Sequence, residues 1–204
     1  GPGIARILQE EITGALHQLT SEDGDNTTRI HECRKHLKKA RSLVRMVRSG
    51  LPRELRKDIM KSLREGAQAM GPLREMDAYQ ECLATVRAGI KDPSMKRALR
   101  SAQRHIAQCS SQQQENFSDA MNAASAAVTG AKYQISPSDF ETITLDTIVN
   151  NLITSYHNAR RIFKSVIHNP NPTDLHEWRK RAKDLRYQLT VVTNAWPAML
   201  LPLE

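Results

Sequence analysis

Aromatic side chains are scarce in this chain: two Trp, four Tyr and three Phe make up 4% of 204 residues. The apolar content, 39%, is carried instead by Leu, Ile, Val, Ala and Met, a set that long helices use well and that can form a core. Cysteines are few. Cys33, Cys82 and Cys109 are odd in number and widely spaced with no CxxC pair, which excludes a disulfide scaffold and favours a reducing compartment. No apolar run is long enough to cross a bilayer and no secretory signal opens the chain, so a cytoplasmic location is expected and no membrane partner. The nine glycines include no Gly-rich phosphate loop, which removes the usual device of phosphoryl transfer. Acidic residues are also in deficit, 22 against 30 Lys and Arg, leaving a formal charge of +8. That balance favours an anionic partner, such as nucleic acid, an acidic membrane or polyphosphate.

Nearly every periodic segment reads as helix, and the length suits one ordinary domain or two small ones. Ile4, Leu8, Ile12, Leu16 and Leu19 mark a first helix, followed by a turn-rich loop at Ser21–Thr28. A second helix is expected from Thr28, as N-cap, to Ser49, and a third from Pro52 to Met70. A fourth covers Leu73–Gly89. A fifth opens at Pro93 and is expected to continue to Thr129, through the polar stretch Cys109–Asn122. Gly130–Ser138 is the best linker, dividing the chain into 1–131 and 132–204. Asp139–His168 reads as one long helix. The turn Asn169–Asp174 follows, and Asp174 is expected to cap a last helix reaching Ala195, where Trp196-Pro197 ends it. No strand is expected. The fold class is therefore all-α.

Two of these helices carry the same motif. Ile30–Arg41, IHECRKHLKKAR, aligns without a gap on Leu175–Arg186, LHEWRKRAKDLR. His31 matches His176, Arg34 matches Arg179, Lys35 matches Lys180, Lys38 matches Lys183 and Arg41 matches Arg186. At 100° per residue, His31, Arg34, Lys35, Lys38, Arg41 and Arg45 fall within an arc of roughly 120°. Cys33, Leu37, Ala40, Val44, Val47 and Leu51 lie opposite. In the second copy His176, Arg179, Lys180, Lys183 and Arg186 share one face, and Trp178, Ala182, Leu185, Leu189 and Val192 share the other. Each copy reads as a core-packing helix with a cationic stripe. By helical spacing Glu32 and Asp184 are expected to point away from the stripes, leaving them few acids for neutralisation. Such like charges at i,i+3 and i,i+4 repel. Finding them twice in one register favours joint use over a plain solvated face. His157, Arg160, Arg161 and Lys164, beside Tyr156, form a third basic face. Folded back at Asn169–Asp174, that helix would lie antiparallel to the one bearing His176, and two basic stripes would line one groove.

The duplicated His-x-x-Arg-(Lys/Arg)-x-x-Lys-x-x-Arg helix resembles that of the CHAD domain, the conserved-histidine α-helical domain. The resemblance spans roughly Ile4 to Pro197, with its sharp motifs in the two basic helices. The family also tends to carry an Arg-Asp pair at the start of the fourth helix; here Arg74 and Asp77 are separated by two residues. The resemblance implies two four-helix bundles related by a pseudo-twofold, with basic helices facing a central groove, and a non-catalytic domain that binds inorganic polyphosphate there. It further implies His31, Arg34, Lys35, Lys38, Arg41, His176, Arg179, Lys180, Lys183 and Arg186 as binding positions; helix geometry adds Arg45, Arg160, Arg161 and Lys164. A fused or associated triphosphatase domain and residence at polyphosphate granules belong to the same expectation. The second repeat contributes only two helices before Glu204. Its bundle is expected to be truncated, abbreviated or completed by a partner chain, which leaves an oligomer open.

Polyphosphate offers neither base edges nor rings, so its receptor needs regularly spaced cations and little else. Arg clamps two phosphate oxygens, and Lys supplies a point charge on a long stem. His31 and His176 sit in first helical turns, where exposed amides already favour an anion. Nucleic acid is the alternative reading, because the same stripes suit backbone phosphates. Tyr187 apart, however, the basic helices carry few aromatics for stacking and few Asn or Gln for base reading. A metal site is disfavoured: the second His of HECRKH, His36, falls one residue late for HExxH, and the surrounding cations would oppose Zn²⁺. Each cysteine reads as a small core residue rather than a nucleophile. No cofactor, no metal and no catalytic residue is expected, and the chain is not expected to be an enzyme.

Overall fold

A computed structural model describes residues 1–21 and 24–195, with side chains described for all of these except 76, 77, 109–115, 194 and 195. The described residues are helical with no strand, an all-α fold. In chain order the helices are α1 (Pro2–Thr20), α2 (Asn26–Met46), α3 (Arg53–Ala69), α4 (Gly71–Gly89), α5 (Pro93–Glu115), α6 (Phe117–Tyr133), α7 (Leu145–His168) and α8 (Pro172–Ala195), with a 3₁₀ turn at Pro137–Phe140.

The main core lies among α1, α2, α3 and α6. The periodic residues of α1, Ile4, Leu8, Ile12 and Leu19, are buried, as are Cys33, Leu37, Ala40, Val44, Val47 and Leu51 from α2 and the turn after it. Burying a Leu or Ile fully is worth about 1.5–3 kcal/mol, so this seam is the largest favourable contribution of the fold. α3 and α6 close the other side with Ile59, Leu63, Met121, Ala124 and Val128. Gly66 permits that approach: a Cβ there would lie 2.7 Å from Val128 Cγ2.

Several boundaries differ from the sequence reading. α2 begins at Asn26 because Asp25 is its cap; Asp25 Oδ2 accepts from Thr28 N at 3.0 Å. α8 begins at Pro172 because Asn171 Oδ1 accepts from Asp174 N at 2.8 Å, while Asn171 Nδ2 donates to Asp174 Oδ2. Asp174 is thus the third helical residue and not the cap. The long helix expected from Pro93 is two, broken at Asn116, which sits at φ −92, ψ 4. α6 runs on to Tyr133, into the expected linker. The segment after it is pinned: Ser136 and Asp139 form a capping box, and Phe140 is fully buried. α7 starts at Leu145, capped by Thr144, rather than at Asp139. The break at Trp196-Pro197 lies outside the described residues, as do the side chains of Asp77 and Cys109. Cys82 is exposed on α4 rather than in the core, because the α4–α5 hairpin buries little against the other helices. Cys33 is buried, and burial pushes its thiol up to about 12 despite the charge of Arg34.

α7 and α8 pack on each other, with the Phe163 and Trp178 rings 5.1 Å apart. Buried Asn151 joins α7 to the end of α2, accepting from Arg48 Nε at 3.1 Å and donating to Ser49 Oγ at 2.8 Å. The apolar face of α8 is not the buried counterpart of α2's. Val44 is 0% exposed, but its repeat partner Leu189 is 42% exposed, and Trp178, Ala182 and Leu185 are only partly covered. α7 likewise exposes Leu145, Val149, Ile153, Tyr156, Phe163 and Ile167.

On the far side of α2, His36 Nδ1 lies 2.6 Å from Glu11 Oε2 and Lys39 Nζ lies 3.0 Å from Glu11 Oε1. Burial raises the Glu11 carboxyl's pKa, but the hydrogen bonds and charges of His36 and Lys39 outweigh it, and the net is a value below the ordinary 4.5. A depressed carboxylate contributes stability above its unfolded value and loses it as pH falls through the folded one. The wild-type advantage over Glu11→Gln should therefore be present at neutral pH and shrink on acidification below about 4.5, as read from urea midpoints across pH. Gly66→Ala should lower stability by about 1–3 kcal/mol through overpacking against Val128, although alanine is the better helix former; a thermal or urea unfolding curve checks it.

Candidate anion-binding cleft

The stripe of α2 lies between α3 on one side and α8 on the other. Arg34 Nη1 donates to the Ala67 carbonyl in the last turn of α3 at 2.6 Å. Towards α8, Ser42 Oγ donates to the Asp184 carbonyl at 2.8 Å, and Gln188 Nε2 donates to the Ser42 carbonyl at 3.3 Å. Arg45 grips the Asp184 carboxylate with both Nε, at 2.6 Å, and Nη2. These contacts bring the two cationic helices together.

Between them lies a cleft of about 620 Å³. Arg34, Lys38, Arg41 and Arg45 line it from α2, and His176, Arg179, Lys180 and Lys183 line it from α8, with Glu177, Arg181, Asp184 and Tyr187. Eight of the fourteen expected binding residues therefore share one wall or the other. Arg186 faces the apolar clefts alongside, one of which it shares with Arg160, Tyr156 and Phe163. His31 and Lys35 are exposed on α2 outside the cleft lining, and Arg161 and Lys164 are exposed on α7. The basic residues of α7 thus do not line this cleft; α2 supplies the second wall.

The acids do not stand clear of the cations. Asp184 holds Arg45, Glu32 pairs with Lys35 at 2.9 Å, and Glu177 pairs with Lys180 at 2.5 Å and Arg181 at 2.8 Å. The i,i+3 and i,i+4 spacings of Glu32 and Glu177 explain two of these, whereas the Arg45–Asp184 pair joins helices far apart in sequence. Lys38 and Arg41 remain without a carboxylate among the described ion pairs. Burial lowers the Lys38 pKa below its ordinary value, and the strongest neighbouring charges, Arg34, Lys183, Arg41 and Arg74, add to that shift. Burial also lowers Arg41, aided by Arg45 and Arg64 and opposed by Asp184. Arg41 Nε is buried and has no hydrogen-bond partner among the described residues. Cations held this close repel one another, and an anion in the cleft would relieve that repulsion.

A family model for the CHAD domain matches residues 7–203. The chain belongs to the CHAD domain family. No curated protein matches it. CHAD domains are associated with inorganic polyphosphate, which gives this one a polyphosphate-related role in general terms, and they are generally binding modules rather than enzymes. No described helix of this CHAD domain is long and apolar enough to cross a membrane. Among its described residues no group of three His, Cys, Asp or Glu side chains could hold a metal ion.

Sequence reasoning missed Arg64 and Arg181 beside the predicted stripes, and Asp184 as the tie between them. Glu177–Arg181 at i,i+4 was a usable signal for one. Arg64 and Asp184 meet the stripe only through helix packing, and no local spacing announces it. Asp184→Ala should destabilise the CHAD domain by about 1–3 kcal/mol, since it leaves the partly buried Arg45 unpaired. The double variant Arg45→Met/Asp184→Leu should recover most of that loss; equilibrium denaturation of the three proteins measures it.

Proposed function

We propose that this CHAD domain binds inorganic polyphosphate without catalysis, in the cleft between α2 and α8. Lys38, Arg41, Arg179 and Lys183 would make the main contacts. Arg34, Arg45, His176 and Lys180 extend the cationic lining, while Arg186, His31, Lys35, Arg160, Arg161 and Lys164 carry the field beyond it. The observation that carries this reading is the cluster at Lys38: its strongest neighbouring charges are all positive, and the adjacent Arg41 Nε is buried with no partner among the described residues. A row of like charges at that spacing suits a flexible chain with about one negative charge per phosphate. Guanidinium groups can fork onto two oxygens at once, and lysines follow the chain as point charges. Among the described residues the lining offers a single aromatic, Tyr187, and no Asn or Gln, so they have little with which to stack or read bases.

A competition assay against labelled long-chain polyphosphate at fixed salt tests this reading, using unlabelled polyphosphate, heparin, single-stranded DNA and duplex DNA of matched charge. Polyphosphate is expected to compete best. Equal competition by DNA would replace polyphosphate with a general nucleic-acid backbone. Lys183→Ala should weaken binding and reduce the slope of log affinity against log salt by about one, as loss of one phosphate contact requires.

A further inference from the structure

The cations around α2 do not all belong to the α2–α8 cleft. Lys38 and Arg45 lean towards α8, on the same side as Ser42. Arg34 and Arg41 lean towards α3, on the same side as Leu37, by their 100° spacing. Two contacts set the register of α3 along α2: Arg56 Nη1 donates to the Arg48 carbonyl and Arg34 Nη1 to the Ala67 carbonyl, each at 2.6 Å. Between these two ties, α3 runs antiparallel to α2. Arg64 lies one turn before Ala67, on the same side of α3, and so falls alongside α2 between the levels of Arg34 and Arg41. Gly66 keeps the helices close there; a Cβ on it would stand 3.7 Å from Leu37 Cδ1. Arg64 is exposed and makes none of the described ion pairs, whereas the nearby acid Glu65 is paired with Lys61. Arg74, at the start of α4, acts on Arg34 and Lys38, and its two Nη atoms donate to Glu81 at 3.5 and 3.4 Å; Glu75 also acts on Arg34.

We infer that a bound polyanion crosses over α2 instead of ending in the α2–α8 cleft, passing Lys38 and Arg41 onto a second bank formed by Arg64 of α3 and Arg74 of α4. Arg41 is the hinge of this path: it lines the α2–α8 cleft and is acted on by Arg45 and Asp184 from that side and by Arg64 from α3, and its buried Nε has no partner among the described residues. The inference rests on the polyphosphate reading of the cleft, and it adds a consequence that reading lacks. A short oligophosphate fits within the cleft, and only a longer chain reaches Arg64.

The test compares tripolyphosphate with long-chain polyphosphate by calorimetry on the whole chain. Arg64→Ala is expected to weaken long-chain binding roughly three- to tenfold and to lower its salt slope by about one. Tripolyphosphate affinity should stay within about twofold. Arg64→Lys should retain most long-chain affinity and Arg64→Glu should lose more than the alanine variant, which assigns the effect to charge and not to folding. Arg53→Ala, a distant cation on the same helix, should leave long-chain binding unchanged. Long-chain affinity and slope unaltered by Arg64→Ala, equal losses with both ligands, or an equal loss from Arg53→Ala would each overturn the second bank. In all three cases Lys183→Ala should still weaken both ligands. Failure of the wild-type chain to bind either ligand would instead overturn the polyphosphate reading itself.

Discussion

Two helices that each present a row of positive charge repel, and the site depends on what holds them together. That tie is the crossing of α2 and α8, where Arg45 grips the Asp184 carboxylate and Ser42 and Gln188 exchange hydrogen bonds with the facing backbone. Ser42 and Gln188 are buried, so these polar contacts are sheltered from water and stronger than they would be on the surface. The crossing also fixes the distance between the two stripes, because the attachment runs between the helices themselves and not through a loop.

The cations divide into those that hold the fold and those that remain free to meet an anion. Arg34 caps a carbonyl of α3, Arg56 does the same for the end of α2, and Arg45 closes the crossing. Lys35 and Lys180 are satisfied by acids one turn away on their own helices. Lys38, Arg41, Arg179 and Lys183 take part in none of these described pairs, although they belong to the same sequence motif. A repeated motif thus contains both scaffold and site, and residue type alone does not separate them.

The two copies of the motif also differ in how they are covered. α2 buries its apolar face in the core of α1, α3 and α6, where Cys33, Leu37 and Val44 are fully enclosed. α8 shows the same pattern of apolar residues to α7 on one flank only, and Leu189 remains 42% exposed. The cationic wall on the α8 side is therefore held by its crossing with α2 and its pairing with α7, whereas α2 is fixed from three directions.

Helix content, the amphipathic division of α2 and the cationic register of both copies follow from spacing along the chain, because a helix converts a 3.6-residue period into a face whatever surrounds it. That made Cys33, Leu37, Ala40 and Val44 legible as core and Lys38, Arg41 and Lys183 legible as one kind of surface. Helix ends were less legible where several Asx and Ser/Thr residues compete to cap, as at Asp25 and Asn171. Local spacing was silent on encounters between distant segments. The pairing of Arg45 with Asp184, the use of Arg34 as a cap and the arrival of Arg64 beside Arg41 arise only when helices pack. Sequence by itself determined which faces carry charge. Tertiary structure decided which of those charges are neutralised and which face one another, since a charge's energy depends on its neighbours in space and on its distance from water.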